Sequence, residues 1–348
     1  MRILYSVTCA EALNPFVKSL TAAIAAEDST IEFVFDPSFI WTEKVYTFDI
    51  LHIMWPEFLV EKGNHTARDL KKRLIEIKDK GIRIVSTCHN IVPHYCKDSD
   101  KCEAIRICYG LSDVIHHLGT VSLDELAQTY PNVRHELIPH HIYDNIYEEQ
   151  ISKTEACRRL GLSENCHYIL SIGAIRDKEE KELLDYVAKK VKRGINIIVP
   201  SFAMDAGKRT DITQRFKYYR DKYLKYHNRL ICNIGIIKNQ DLPYYMAVSD
   251  ITLIHRKRIL NSGNVTLGMY AGNVIIGPQI GNVGRILKET GNYTFDAQEE
   301  IPGLIEKALK AADDGKGVCN RQYALSNWSS SQIAKLVLNN YRTLIGPQ

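Results

Sequence analysis

Twice in this chain a β-branched run stops at a cluster of polar residues and glycines. The first stop is Val85-Ser86-Thr87-Cys88-His89-Asn90-Ile91-Val92-Pro93-His94. The second is Leu260-Asn261-Ser262-Gly263-Asn264-Val265, followed by Gly272-Asn273-Val274-Ile275-Ile276-Gly277-Pro278. Endings of this kind put reactive side chains and bare backbone N–H groups just past a strand or at the start of a helix. Open α/β sheets bind their ligands there. One such ending in each half predicts a two-domain enzyme with its cleft between the halves.

Between and around these stops, strand and helix signals alternate, which predicts parallel sheets with helices on both faces. Strands are expected at 2–7, 31–35, 50–54, 82–86, 113–116 and 135–138, with helices over 16–26, 67–80 and 123–129. Gly81 closes the second of these helices. The second half repeats the pattern. Strands are expected at 168–172, 195–199, 230–234, 251–254 and 274–277, and helices over 179–192, 213–226, 301–312 and 330–341. The division this implies is an N-terminal Rossmann-like domain over 1–148, a linker over 149–165, and a C-terminal Rossmann-like domain over 166–325. A helical segment over 326–348 follows. Its apolar face, Ile333, Leu336, Val337 and Tyr341, suits it either to cap the second domain or to brace the first.

Composition narrows the function class. At 348 residues the chain exceeds a comfortable single core. A formal charge of +4 is too mild to argue for nucleic acid. Nine cysteines without a CxxC pair read as reduced and cytosolic. The first apolar stretch is too short for a secretory leader, and no run approaches the roughly 18 apolar residues of a membrane span. Twelve histidines raise the question of a metal, but no HxxxH or HxH pair on one element makes a ligand set. Lys71, Lys72, Arg73, Lys78, Lys80 and Arg83 form a basic face that would suit an anionic membrane surface. Lys217, Arg220, Lys222 and Lys225 read as a solvated helix face.

Several strings occur in a telling order. Asp49-Ile50-Leu51-His52-Ile53-Met54-Trp55-Pro56-Glu57 is similar to "DIVHLHWPE". Thr87-Cys88-His89-Asn90 with Pro93-His94 is similar to "TxHNxxPH". Leu137-Ile138-Pro139-His140 is similar to "VIPHG", with His141 in the glycine's place. Gly173-Ala174-Ile175-Arg176 is similar to "GxIR". Leu242-Pro243-Tyr244-Tyr245-Met246, running on to Asp250, and the stretch 260–278 complete the set. Together they resemble the GT-B glycosyltransferases, most closely the large family-4 type (glycosyl transferases group 1) of bacterial polysaccharide assembly. The resemblance implies an α/β GT-B fold, two Rossmann-like domains facing each other across a cleft. It implies a hexosyltransferase-type enzyme that moves a sugar from a UDP- or GDP-sugar to a glycan or lipid-linked acceptor. No metal and no other cofactor is implied, the anomeric configuration is retained, and the protein is cytoplasmic with a peripheral contact to the inner membrane surface.

Site residues follow from this reading. The donor is assigned to Gly173, Arg176, Lys181, Ile237, Arg256, Asn261, Ser262, Gly263, Asn264 and Val265. Arginine forks suit phosphate, and a helix N-terminus offers it N–H groups. Exposed backbone at Ile237 would read the base edge. The acceptor is assigned to Asn14, Trp55, Glu57, Asn90, His94 and His140, since an aromatic face suits a sugar's CH face and a carboxylate its hydroxyls. His89 is the candidate catalytic residue, contacting the sugar or taking the acceptor proton. His116 and His117 read as structural. Two departures from the family pattern stand out. Leu260 and Gly268 occupy the positions of the usual E-x7-E carboxylates, and Glu179-Glu180 stand where Lys-Gly is usual. These departures also fit a catalytically inactive GT-B protein that binds sugar or scaffolds a complex.

Overall fold

The computed structural model describes residues 1–8, 15–61, 65–91, 99–147, 151–173, 175–199, 230–232 and 240–346. The chain divides into two compact units, Met1–Ile146 with Trp328–Gln348, and Tyr147–Asn327. Each unit is built on a six-stranded sheet whose strand pairs are all parallel.

In the N-terminal unit the strands are β1 (Arg2–Tyr5), β2 (Glu32–Phe35), β3 (Ile50–Ile53), β4 (Arg83–Cys88), β5 (Val114–His117) and β6 (Arg134–Leu137), ordered β2-β1-β3-β4-β5-β6. The order reverses between β1 and β3. Strands β3 and β5 are buried along their whole length, as expected of parallel strands covered on both faces. The helix Ala67–Asp79 shows how the sequence builds the covering layer. Thr66 and Asp69 close a capping box, and Leu70, Leu74 and Ile77 recur on one face and are fully buried. The helix Ser330–Ile345 belongs to this unit. It buries Ile333, Ala334, Val337, Leu338 and Tyr341, while Leu336 stays exposed.

The C-terminal unit carries β7 (His167–Leu170), β8 (Ile195–Val199), β9 (Leu230–Cys232), β10 (Ile251–Leu253), β11 (Val274–Pro278) and β12 (Tyr293–Phe295), ordered β12-β11-β10-β7-β8-β9. This is the Rossmann order, with its reversal between β7 and β10. Ile169, Ile197, Leu253 and Ile276 from the sheet pack with Leu183, Leu184 and Val187 of the helix Lys178–Lys190 and with Ile301 and Ile305 of the helix Ile301–Asp313.

Some sequence expectations change. The expected linker over 149–165 contains the helix Lys153–Leu160, opened by a Ser152 cap and ended by left-handed Gly161. It packs on the helix Leu242–Val248, so much of that stretch belongs to the C-terminal unit's folded body. Among the described residues, helices at Phe58–Glu61, Ser99–Leu111, Leu242–Val248, Gly281–Glu289 and Lys316–Trp328 lie beyond the expected set. The expected helix over 213–226 lies outside the described residues, as do Asn14, His94 and Ile237.

Candidate functional site

The reversal of strand order in the C-terminal unit sets the geometry of the first site. Beyond β7 the chain reaches Gly173, whose φ of +115° is one that side-chain-bearing residues rarely adopt. A β-carbon there would stand 2.8 Å from Nη2 of Arg256, which follows β10. Asn264 closes the third side, its Nδ2 donating to the Ile172 carbonyl oxygen at 2.8 Å. Gly173, Arg256 and Asn264 therefore converge from three separate stretches of sequence. The helix Gly263–Ala271 starts at the same place, capped by Ser262, whose Oγ accepts from Asn264 N at 3.3 Å.

Not all the expected backbone donors remain available. Asn264 N–H goes to the Ser262 side chain and Val265 N–H to the Ser262 carbonyl oxygen at 3.1 Å. Asn261 is a brace: its Oδ1 accepts from Asn282 Nδ2 at 2.7 Å, and Leu260 O accepts Asn282 N at 2.9 Å. Arg176 is exposed at the rim, and Lys181 is half-buried in the first turn of the helix Lys178–Lys190. Lys178 pairs with Glu182 at 3.2 Å.

Position 268 has no room for the usual carboxylate. A β-carbon on Gly268 would lie 2.7 Å from Thr252 Oγ1 and 2.8 Å from Ile275 Cδ1, because the helix lies directly on β10 and β11. A carboxylate absent from the expected site residues pairs with Arg256. Glu180 is 1% exposed. Its Oε2 accepts from Arg176 N at 2.8 Å, and its Oε1 lies 3.3 Å from Arg256 Nη1. Ser171 Oγ donates to Leu253 O at 2.9 Å, so His255 Nδ1 donates to Ser171 Oγ at 2.7 Å. His255 Nε2 then faces Glu180 Oε2 at 3.7 Å. Nothing local in Lys178-Glu179-Glu180-Lys181 announces this burial, since the run reads as a solvated helix start.

The N-terminal unit holds an aromatic cluster at the carboxyl ends of its strands. Trp55, just past β3, stacks on His89, just past β4, with ring centroids 4.6 Å apart. Phe16 meets His89 at 5.3 Å and both His140 and His141 at 4.8 Å. His140 Nδ1 donates to His141 O at 2.9 Å. Burial holds the His89 imidazole down to about 3 and that of His140 down to about 4. Both rings are therefore neutral near pH 7, and His89 is too weak a base to take a hydroxyl proton efficiently. Glu57 and Asn90 are half-buried beside this cluster, and the Asn90 carbonyl oxygen accepts from Tyr109 OH at 2.6 Å. His116 and His117 lie inside β5 with their side chains buried. The Tyr130 carbonyl accepts from His135 Nε2 at 3.0 Å, which leaves His135 Nδ1 to accept from His117 Nε2 at 2.9 Å.

Two members of the basic face, Arg73 and Lys78, are tied down inside the unit. Arg73 donates to Ile40 O, Thr42 O and Tyr46 OH, each at 2.6 Å. Lys78 reaches Leu111 O at 2.8 Å and Asp113 at 3.1 Å, and Arg83 also faces Asp113. Lys71, Lys72, Lys80 and Arg83 remain exposed on this face. Among the described residues no helix is long and apolar enough to cross a membrane, and no three His, Cys, Asp or Glu side chains gather as metal ligands.

No protein-family model and no curated protein matches the sequence. Solved structures do. A sucrose-phosphate synthase from Thermosynechococcus elongatus matches at 14% identity over 99% of this chain and 98% of its own, with a TM-score of 0.77. HepE from Anabaena, in complex with UDP, matches at 12% identity over 98% of this chain and 99% of its own, TM-score 0.71. WaaG, a glycosyltransferase involved in lipopolysaccharide biosynthesis, matches at 12% identity over 98% and 99%, TM-score 0.65. At such identities the likeness speaks to architecture. With two parallel α/β units and end-to-end similarity to these structures, the chain has the GT-B fold.

Proposed function

We propose that this protein is a glycosyltransferase that takes a sugar from a nucleoside-diphosphate donor held by its C-terminal unit. One observation carries the reading: Gly173, Arg256, Asn264 and the start of the helix Gly263–Ala271 converge at the strand-order reversal of a Rossmann sheet. A bare glycine, an arginine and a helix N-terminus suit a diphosphate. The HepE structures, complexes with UDP and with UDP-glucose, support the same reading.

In the proposed reaction the bond from the sugar's anomeric carbon to the diphosphate oxygen breaks, and the diphosphate keeps the electron pair. Arg256 and Arg176 stabilise the charge that develops on it. A bond forms from the anomeric carbon to an acceptor hydroxyl, and that hydroxyl's proton passes to the departing diphosphate. His89 serves as a neutral hydrogen-bonding contact, with Trp55 offering an aromatic face to a glycan or lipid-linked acceptor. Lys181, Asn261 and Ser262 shape the donor site, with Glu57, Asn90 and His140 on the acceptor side. Metal independence and retention of the anomeric configuration, implied by the sequence resemblance, complete the proposal.

Calorimetry with UDP, GDP and ADP against their nucleosides tests it. One diphosphate should bind at least about tenfold tighter than its nucleoside, the increment of one charge-assisted contact. Equal affinities would overturn the reading. Transfer from the matching sugar nucleotide should continue in EDTA, and proton NMR of the first product should show the donor's anomeric configuration. The tight packing at Gly268 favours a second reading, a protein of the same fold that binds the donor without transferring it. Diphosphate binding with no turnover on any donor would select that one.

A further inference from the structure

The family's usual Lys-Gly is missing here, and the residue in the glycine's place is a buried acid. Glu180 is the third residue of the helix Lys178–Lys190, and its N–H is fixed by the Asp177 cap at 2.9 Å. A glutamate at this helix position often turns back to the cap residue's own N–H. Here it reaches one residue further, to Arg176 N, and with its other oxygen to Arg256 Nη1. Glu180 is 1% exposed and the Arg256 side chain 11%. A pair so far removed from water is held by its partners, since either charge alone would be costly to bury. A guanidinium is a rigid planar fork. With Nη1 directed at Glu180, Nη2 lies over Gly173, where the donor's diphosphate is proposed to sit.

We propose that Glu180 is a positioning residue: one buried carboxylate aims Arg256 at the donor diphosphate and pins the backbone of Arg176 beside it. This rests on the nucleotide-sugar reading above. The arrangement supplies a phosphate-binding cation from the end of β10 in place of the absent lysine, with an acid to orient it. Two acceptor oxygens are needed, one for each donor. A glutamine has a single acceptor oxygen and would turn N–H groups toward the other donor.

The test is calorimetric and uses the full chain. UDP and uridine are titrated, with GDP and guanosine in parallel, into the wild type, Glu180→Gln, Arg256→Gln and the double variant. The wild type should hold the diphosphate at least about tenfold tighter than the nucleoside. Glu180→Gln should lose most of that preference while nucleoside affinity stays within about twofold. The double variant should bind like Arg256→Gln alone, because Glu180 acts through Arg256. It should also unfold at a higher temperature than Arg256→Gln, which strands a buried carboxylate. Should Glu180→Gln fail to fold, Glu180→Asp keeps the charge but falls short of both donors, and should show the same loss. Two outcomes overturn this inference alone: an undiminished diphosphate preference in Glu180→Gln or Glu180→Asp, or losses that multiply in the double variant. A wild type with no diphosphate preference overturns the donor reading and this inference with it.

Discussion

His89 shows how burial decides what a side chain can do. Its ring stacks on Trp55 and meets Phe16 edge-on, and its imidazole is held down to about 3. A neutral ring can still orient a sugar hydroxyl. His89→Ala should cut turnover at least tenfold, about 1.4 kcal/mol of transition-state stabilisation. Diphosphate affinity should stay within about twofold, since the proposed donor contacts belong to the other unit. The rate should show no titration near pH 6.5 that disappears in the variant; such a limb would mean that His89 works as a base after all. Gly268 makes the opposite point, a residue defined by what cannot be added to it. With neighbours at 2.7 and 2.8 Å from a would-be β-carbon, Gly268→Ala should cost about 1–3 kcal/mol through overpacking. Gly268→Glu should cost more, because it would also bury a charge. Circular dichroism on heating would check both, and an unshifted midpoint for Gly268→Ala would show that the helix can move off the sheet.

The helix Ser330–Ile345 joins the N-terminal unit across most of the chain's length and buries Tyr341 in it. Tyr341, fully buried, shares hydrogen bonds with Tyr5 OH at 2.8 Å and with His52 Nδ1, and Asn340 meets Arg134. At the helix ends Ser330 N donates to Asp144 Oδ1 at 2.9 Å and Arg342 pairs with Asp28. Tyr341→Phe should cost about 1–3 kcal/mol, because it leaves buried polar partners unsatisfied. The three tryptophans, Trp41, Trp55 and Trp328, all lie in this unit, so urea unfolding followed by their fluorescence isolates the effect. An unchanged midpoint would mean that the hydroxyl network contributes nothing. The sequence shows this helix plainly through its apolar stripe, but not which unit it covers, because that depends on contacts some three hundred residues away. The same divide runs through the site. Strand ends such as Thr87-Cys88-His89-Asn90 are legible because β-branched runs end abruptly. The convergence of Gly173, Glu180 and Arg256 is not, because strand order, not sequence proximity, brings β10 beside β7. The helices Gly281–Glu289 and Lys316–Trp328 escape notice for local reasons. The first carries Gly284 against the Gln279 backbone, and the second exposes Val318, Tyr323 and Leu325, which blurs its periodicity.

Across the whole molecule the histidines are distributed unevenly, and this sets its response to acid. Nine of the twelve lie within 1–146. Burial holds His116 and His117 down to about 3, and His52 and His141 well below the ordinary value of 6.5. His89 and His140 behave alike. Above pH 6.5 these rings are neutral in both the folded and the unfolded chain, so they leave stability unaffected. As pH falls below 6.5 the unfolded chain takes up protons that the folded unit refuses, and stability drops until the folded values are reached. At pH 5, a ring with a folded value near 3 has lost about 1.5 units of that linkage, about 2 kcal/mol. His116 and His117 alone therefore place several kilocalories at risk. The N-terminal unit should lose urea resistance steeply between pH 6.5 and 4.5, read by tryptophan fluorescence. His116→Gln, neutral at every pH, should lower the slope of unfolding free energy against pH by about one proton near pH 5. A fluorescence midpoint that stays level from pH 7 to 4.5 would mean that these rings find water or protons in the folded state, and that the aromatic cluster is open enough to titrate.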